Sequence, residues 1–175
     1  MENNDKVLVN RVANSKLKTI NLEHYFPTVD IVEFDLREYL FKDLILIEKD
    51  FRESLKAVDW TVYDHKAVAV HCSTDAIIPT WAFMLVSTYL VPHASKIFLG
   101  TKKSLIEEEY RIRLENLDYS QYQDVPVVIK GCSQKPVPES AYVHLTTRLI
   151  PVARSIMYGE ACSTVPIFKK PKNQS

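Results

Sequence analysis

The stretch 68-VAVHCSTDAIIP-79 decides the fold, because it joins a buried strand to the start of an apolar helix. The apolar run within Ala67–His71 is typical of a strand that is buried on both faces of a sheet. Residues Pro79–Val91 are apolar nearly all round, which predicts an interior helix. About sixty residues later, 127-VVIKGCSQKPVPE-139 again passes from an apolar strand to the start of a helix.

The remaining elements continue this alternation of strands and helices. Ile97–Leu99 and Val125–Lys130 are predicted strands, and Ser104 is expected to cap a helix that ends near Leu117. The apolar stripe of the last helix extends to Ile156, and Pro151 is expected to kink that helix. The resulting β-α-β-α-β-α order predicts an α/β fold with a mostly parallel sheet and helices on both faces, a Rossmann-like three-layer arrangement.

The length of 175 residues favours one domain with a sizeable core. In a small N-terminal strand and helix extension, Ile31–Leu36 alternates like an edge strand, and the capping-box spacing of Asp50 and Glu53 predicts a helix over Phe51–Val58. We expect a single α/β domain over 1–168, divided into the extension 1–62 and the core 63–168, followed by a disordered tail over 169–175.

The composition excludes several classes of function. Twenty-two basic residues balance twenty-two acidic ones, which argues against binding to nucleic acid or to an anionic membrane. Three glycines leave no room for a phosphate-binding P-loop or a dinucleotide-binding loop. The N-terminal residues do not resemble a secretory signal, and no apolar segment is long enough to span a membrane, so we expect a cytoplasmic protein.

The three cysteines are the candidate functional centre. Cys72, Cys132 and Cys162 are each followed by a serine and, within four to seven residues, by a proline. In the cytoplasm an odd number of cysteines favours free thiols or metal ligands over disulfides. Cys72 and Cys132 also precede helix starts, where the helix dipole lowers the pKa of a thiol.

The first functional hypothesis is a metal site at the carboxyl edge of the sheet. If the strand order is 2-1-3, the strands before Cys72 and Cys132 are neighbours, and their thiolates can share one metal. Cys72, Cys132 and Cys162 would then bind zinc or an iron–sulfur cluster. The expected fourth ligand is His71, Asp75 or Glu160.

Cys162 does not fit this site without a further assumption. The predicted last helix runs away from the carboxyl edge, so it would leave Cys162 at the opposite end of the sheet. Three solutions stay open: the chain turns back after Gly159, the kink at Pro151 redirects the helix, or Cys162 reaches the site of a second subunit. A homo-oligomer is therefore left open.

Two alternative functions use the cysteines differently. The chain could be a cysteine-dependent thiol oxidoreductase or sulfur carrier, with Cys132 as the low-pKa thiol beside Lys130 and Cys72 as its partner. It could also be a structural or interaction module with inert cysteines, because cysteine often behaves as a small buried hydrophobe. The sequence leaves open whether the protein is an enzyme.

Several motifs resemble a bacterial family that is known only as a domain of unknown function. They are 10-NRVANSKLKTINLE-23, 44-LILIEKDFRESL-55, 71-HCSTDAIIPTWAFM-84, 127-VVIKGCSQKPVPESAYV-143 and 155-SIMYGEACSTVPIFKK-170. The resemblance covers nearly the whole chain and implies no activity. It does imply a link to iron–sulfur cluster assembly, because genes for similar proteins lie near that machinery. The partners that the resemblance implies are iron–sulfur assembly proteins.

Overall fold

The structure is a computed structural model, and it describes residues 17–131, 134–160 and 163–171. The strands are β1 (Lys18–Asn21), β2 (Ile31–Asp35), β3 (Ala67–His71), β4 (Lys96–Leu99), β5 (Pro126–Lys130), β6 (Ser155–Glu160) and β7 (Ser163–Lys169). The helices are α1 (Glu48–Ala57), α2 (Thr80–Leu90), α3 (Lys102–Glu115) and α4 (Glu139–Leu149). No helix among the described residues is both long and apolar enough to cross a membrane.

The chain divides into two compact units. Among the described residues, unit 1 contains those up to Phe26 and those from Tyr110 onward, and unit 2 contains Pro27–Glu109. The sheet of unit 1 has the order β1-β5-β6-β7, in which only β7 is antiparallel, and the sheet of unit 2 is the parallel set β2-β3-β4. The predicted α/β class with mostly parallel strands is therefore confirmed. The single domain over 1–168 stays a prediction.

The predicted pairing of the two strands that precede Cys72 and Cys132 is wrong. Those strands are β3 and β5, and they belong to different sheets. Each pairs instead with a strand from the N-terminal extension, since β2 lies beside β3 and β1 lies beside β5. The extension thus supplies the first strand of both sheets, and Cys72 and Cys132 do not follow neighbouring strands.

The core of unit 2 explains the continuous apolar run of β3. Val68 and Val70 belong to a cluster with the buried residues of α1 and α2, among them Phe51. Ala67 and Ala69 belong to a second cluster with Leu105 of α3. Because side chains alternate along a strand, helices cover both faces of β3, as in a three-layer α/β fold.

Helix α2 is buried on one face only, although its sequence is apolar nearly all round. Ala82, Val86 and Leu90 are fully buried, whereas the side chain of Met84 is 65% exposed. The buried positions recur every four residues, which places them along one side of the helix. The prediction of a fully interior helix is therefore wrong.

Two substitutions on α2 compare the contributions of its buried and exposed sides to stability. We expect Val86→Ala to lower the free energy of unfolding by roughly 1.5–3 kcal/mol, because it removes buried apolar surface. As the matched control, Met84→Ala should change it by less than about 0.5 kcal/mol. Urea denaturation measures both, and equal losses for the two variants would contradict a one-sided burial of α2.

The last predicted helix is in fact a shorter helix followed by a strand. Helix α4 ends at Leu149, and residues 155–160 form β6 beside β5. Pro151 has no amide hydrogen to donate, so it ends the helix instead of kinking it. The amides of Val152 and Ala153 both donate to the carbonyl of Leu149 and turn the chain back toward the sheet. Ile156 is buried in a strand and not on a helix.

Other element boundaries also differ from the predictions. Helix α1 begins at Glu48, so Asp50 lies inside its first turn and does not cap it. Helix α3 begins at Lys102, and the hydroxyl of Thr101 accepts the amide of Ser104, the residue that was the predicted cap. At the C-terminus β7 reaches Lys169, which lies in the predicted tail, and residues 172–175 lie outside the described residues.

The two units repeat one structural pattern with a constant shift of 59 residues. The shift is the same from β3 (Ala67) to β5 (Pro126), from α2 (Thr80) to α4 (Glu139) and from β4 (Lys96) to β6 (Ser155). The three buried positions of each helix obey it as well, since Ala82, Val86 and Leu90 of α2 match Ala141, Leu145 and Leu149 of α4. In this register Cys72 matches Gly131 and Ser73 matches Cys132. The two Cys-Ser pairs are thus one residue out of step and are not equivalent positions.

Candidate functional site

An ion pair marks the carboxyl edge of the sheet in unit 1. Lys130 is the last residue of β5, Glu160 is the last residue of the neighbouring strand β6, and the Lys130 ammonium lies 3.1 Å from the nearer Glu160 carboxylate oxygen. Both strands point the same way, so both side chains reach the same edge. Glu160 was a predicted fourth metal ligand, and its carboxylate here forms an ion pair with the ammonium group of Lys130.

Two of the three cysteines follow this ion pair directly in the sequence. Cys132 comes two residues after Lys130, and Cys162 comes two residues after Glu160. Both cysteines lie outside the described residues. The strand β6 removes the difficulty that the sequence raised about Cys162, because the chain returns to the carboxyl edge before residue 162.

The connection that contains Cys132 is anchored by a buried carboxylate. Glu23 lies in the 3₁₀ turn that follows β1, and only 8% of its surface is exposed. Its carboxylate accepts a hydrogen bond from the backbone amide of Gln134 at 2.8 Å. At Gly131 an added Cβ would lie 2.7 Å from the hydroxyl oxygen of Tyr142, so a side chain at this position would require the Tyr142 side chain to move.

Cys72 lies at the carboxyl edge of the other sheet, in unit 2. Its sulfur is 3.3 Å from the hydroxyl oxygen of Thr74, and its half-buried side chain packs against the unit 2 core. His71 precedes it, and the His71 Nε2 atom lies 3.6 Å from a carboxylate oxygen of Glu33. The third predicted ligand candidate in this connection, Asp75, is exposed. The geometry of Cys72 is that of a packed thiol with a hydrogen-bond partner.

A second carboxylate anchors the connection that contains Cys72. One oxygen of Asp35 accepts the backbone amides of Arg37 and Ser73, each at 3.0 Å. Burial raises the pKa of Asp35, but hydrogen bonds from Ser73 and from the Arg37 amide outweigh this effect, so the pKa lies below its usual value. Asp35 is therefore ionised at neutral pH and holds both the turn after β2 and the connection after β3.

A polar cavity opens beside this anchor in unit 2. Its volume is about 430 Å³, and its lining consists of Glu33, Phe34, Asp35, Glu38, Tyr39, Tyr63, His71 and Ser73. Burial, with Tyr63 and Glu38 nearby, raises the pKa of Tyr39 to about 12. Glu33 accepts the first amide of α3, from Lys102, at 2.9 Å. Two of the three acidic groups in this cavity thus already accept backbone amides.

An apolar cavity of about 710 Å³ lies in unit 1. It is lined by Ile129, Val137, Glu139, Tyr142, Val143, Thr146, Thr147, Met157, Tyr158 and Ile167. The rings of Tyr142 and Tyr158 meet edge to face, with 5.7 Å between their centroids. The cavity therefore runs along α4 and reaches the strand ends that precede Lys130 and Glu160.

Four of the predicted metal ligands lie among the described residues, namely His71, Cys72, Asp75 and Glu160. Within 17–131, 134–160 and 163–171, no three His, Cys, Asp or Glu side chains are grouped so that they could hold a metal ion. This range leaves out Cys132 and Cys162, so the predicted three-cysteine set stays a prediction.

The two anchoring carboxylates, Glu23 and Asp35, were not among the residues predicted from the sequence. A signal for them was present, because 21-NLEHY-25 and 35-DLREY-39 share a polar cap, a leucine and a tyrosine at the same spacing. Leu22 and Leu36 are both fully buried, and the side chains of Asn21 and Asp35 cap the two turns in the same way. Comparing these two segments would have pointed to equivalent turns, but not to the partners of Glu23 and Asp35 far along the chain.

Comparison with known proteins agrees with the resemblance that the motifs carry. Neither a curated protein nor a solved structure matches the chain. A family model described as "Protein of unknown function (DUF2480)" matches residues 6–170, which include both units and all three cysteine-containing connections. The chain therefore belongs to the DUF2480 family.

Proposed function

We propose that the protein binds a thiophilic metal, either zinc or the iron of an iron–sulfur cluster, through the thiolates of Cys132 and Cys162. The observation that supports this is the ion pair between Lys130 and Glu160, whose charged groups are 3.1 Å apart. Each cysteine is only two residues further along, and two residues span at most about 7 Å. Thiolate sulfur is a preferred ligand for zinc and for iron–sulfur clusters.

The charges beside the proposed site favour this chemistry. A metal binds the thiolate and not the thiol, and a nearby ammonium group stabilises the thiolate. Lys130 supplies that ammonium group, and Glu160 neutralises part of its charge. Glu160 stays a predicted fourth ligand, and its carboxylate would then serve both the metal and Lys130. Cys72, His71 and Asp75 belong to unit 2 and stay predicted candidates for the remaining ligand positions.

The iron–sulfur form of this proposal agrees with the gene association that the resemblance implies. A site with few protein thiolates holds a metal or cluster that can be passed on, since incomplete protein coordination leaves positions for an incoming ligand. An accessory role in iron–sulfur cluster assembly, with assembly proteins as partners, would use a site of this kind.

A dithiol redox pair is the second candidate function. The position of Lys130 near Cys132 favours it, because a lowered thiol pKa also favours disulfide exchange. In that reaction Cys132 and Cys162 would together lose two protons and two electrons to a disulfide substrate. The substrate would leave as two thiols, and the two cysteines would form a disulfide.

Metal analysis of protein purified without oxygen or chelator tests the proposal. We expect about one zinc per chain, or iron with matching sulfide and a visible spectrum, that is lost in both Cys132→Ser and Cys162→Ser. Cys72→Ser is the matched comparison: loss of metal there would support the predicted three-cysteine set, and retention would restrict the site to unit 1.

The remaining outcomes separate the alternatives. Metal that persists in Cys132→Ser or Cys162→Ser would contradict the proposed ligands. A metal-free protein whose thiols titrate near neutral pH would favour the dithiol or sulfur-carrier function. A metal-free protein with unreactive thiols would leave a structural or interaction module.

A further inference from the structure

The lining of the polar cavity in unit 2 is negatively charged. It includes the carboxylates of Glu33, Asp35 and Glu38, and its described residues include no lysine or arginine. Among the described residues, neither Asp35 nor Glu38 forms an ion pair with a lysine or an arginine, and the neighbouring Arg37 pairs with Asp43 instead. A cation that enters this cavity therefore meets carboxylates whose charge no lysine or arginine already balances.

Three aromatic residues line the same cavity, and their rings pack together. Phe34 stacks on Tyr39 with 5.3 Å between the ring centroids, and its centroid lies 6.0 Å from that of Tyr63. Burial raises the pKa of both tyrosines, so their hydroxyls stay uncharged at neutral pH. Aromatic faces attract ammonium groups and also pack against carbon chains. The cavity thus combines negative charge with aromatic surface.

The repeat allows this cavity to be compared with unit 1 position by position. Asp35 lies opposite His71 in the pairing of β2 with β3, and Asn21 lies opposite Lys130 in the pairing of β1 with β5. His71 and Lys130 are the same position in the 59-residue repeat. Strand β2 therefore matches β1 with a shift of 14 residues, and the 3₁₀ turns that follow these two strands share that shift.

Unit 1 keeps the tyrosines of the cavity but not its carboxylates. The matching pairs are Tyr39 and Tyr25, Tyr63 and Tyr122, Glu33 and Thr19, Asp35 and Asn21, and Glu38 and His24. Asn21 caps its turn through a side-chain oxygen as Asp35 does, so the cap does not require a charge. The shared scaffold therefore accounts for the aromatic residues and leaves the negative charge of the unit 2 cavity unexplained.

The matching tyrosine of unit 1 already contacts a cation. The Lys18 ammonium lies 5.5 Å from the centroid of the Tyr122 ring. In unit 2 the residue that matches Lys18 is Val32, so the chain supplies no ammonium group to Tyr63 from that position. A cation at this ring of unit 2 would have to come from a ligand.

We propose that the polar cavity of unit 2 binds a small organic ammonium compound. The carboxylates of Asp35, Glu38 and Glu33 hold its positive charge, and its carbon chain packs against Tyr39 and Tyr63. The cavity lies beyond the carboxyl ends of β2 and β3, where open α/β sheets bind ligands, and its volume of about 430 Å³ suits a small molecule. The proposal does not depend on the metal site proposed for unit 1.

Three compounds with the same four-carbon chain test the role of charge. Putrescine carries two ammonium groups, butane-1,4-diol is neutral, and succinate carries two carboxylates. In amide NMR spectra of the full chain, putrescine should shift the signals of Ser73 and Lys102, because these amides donate to Asp35 and Glu33. We expect the diol and succinate to bind at least about tenfold more weakly than putrescine.

The repeat also supplies the most informative variant. Asp35→Asn introduces the residue that unit 1 has at this position, so it keeps an oxygen to cap the Arg37 amide and removes the charge. We expect this variant, and Glu38→Gln at an exposed position, each to weaken putrescine binding by about five- to tenfold. Glu53→Gln is the matched control: it removes the same charge from an exposed position on α1 outside the cavity, and affinity should stay within about twofold.

Three results would overturn the proposal. The first is the absence of shifts at Ser73 and Lys102 with millimolar putrescine. The second is equal affinity for putrescine and the diol, because the carboxylates would then contribute nothing. The third is an equal loss of affinity in Glu53→Gln and Asp35→Asn, which would indicate attraction to the overall charge of the protein instead of binding in the cavity.

Discussion

Replacing Phe51 by alanine is expected to lower the free energy of unfolding by about 3–5 kcal/mol. Phe51 lies on α1 and is fully buried in unit 2. The rings of Tyr39 and Trp81 meet it edge-on, with centroids 5.6 and 6.1 Å away. The Tyr39 ring in turn stacks on Phe34 at 5.3 Å. Because these neighbours are themselves packed, they cannot collapse into the vacated space, and the loss should include a full cavity contribution.

Urea denaturation, followed by tryptophan fluorescence, measures this loss of unfolding free energy in unit 2. The two tryptophans of the chain, Trp60 and Trp81, both lie in unit 2, so their signal reports on that unit. Lys49→Ala on the exposed side of α1 is the matched control and should cost less than about 0.5 kcal/mol. A loss below about 1 kcal/mol for Phe51→Ala would mean that α1 is not part of the core.

Gly159→Ala is expected to lower the free energy of unfolding by roughly 2–4 kcal/mol and to disturb the proposed metal site. Gly159 has a φ of +120°, a conformation that residues with a Cβ rarely adopt. An added Cβ would also lie 2.6 Å from the backbone carbonyl oxygen of Ser163. Since Gly159 and Ser163 lie in the paired strands β6 and β7, relief requires a shift of the strand end that carries Glu160.

The equivalent glycine of unit 2 is the control for this prediction. Gly100 has a φ of +147°, but the atoms nearest to its added Cβ belong to the side chain of Phe98 and not to the backbone, with the closest at 2.7 Å. We expect Gly100→Ala to cost about 1–2 kcal/mol, measured with Gly159→Ala by urea denaturation and far-ultraviolet circular dichroism. Metal content should fall in Gly159→Ala and persist in Gly100→Ala. Equal losses of stability would contradict the clash with the Ser163 carbonyl.

The central strands could be predicted because their signals are local. The β3 strand has the predicted bounds, and β5 differs by one residue, since an apolar run between turn residues marks a buried strand without knowledge of its partners. The end of α4 was also visible in principle. Leu149-Ile150-Pro151 repeats Leu90-Val91-Pro92, and both helices end at that leucine. The repeat was a better guide to this boundary than the apolar stripe that extended to Ile156.

The candidate site was only partly predictable. The three cysteines and Glu160 could be predicted as ligands from their residue types and their positions near predicted strand ends. Lys130 could be predicted to lie near Cys132 because it is two residues away in the sequence. The ion pair joins residues 30 positions apart, and it depends on β6 being a strand beside β5. The hydrogen bond from Gln134 to Glu23 spans 111 positions. Neither contact leaves a periodic signal in the sequence.

The sequence by itself determined the α/β class, the buried middle strands β3 and β5, and the residue types that can bind metal. It did so because side-chain periodicity and turn chemistry act over a few residues. Only the tertiary structure decided that these strands belong to two sheets and that the segment before Cys162 returns to the carboxyl edge beside Lys130. Strand pairing joins segments that are far apart in the sequence, so local patterns do not determine it. Here β3 pairs with β2 and β5 pairs with β1, and β3 and β5 do not pair with each other.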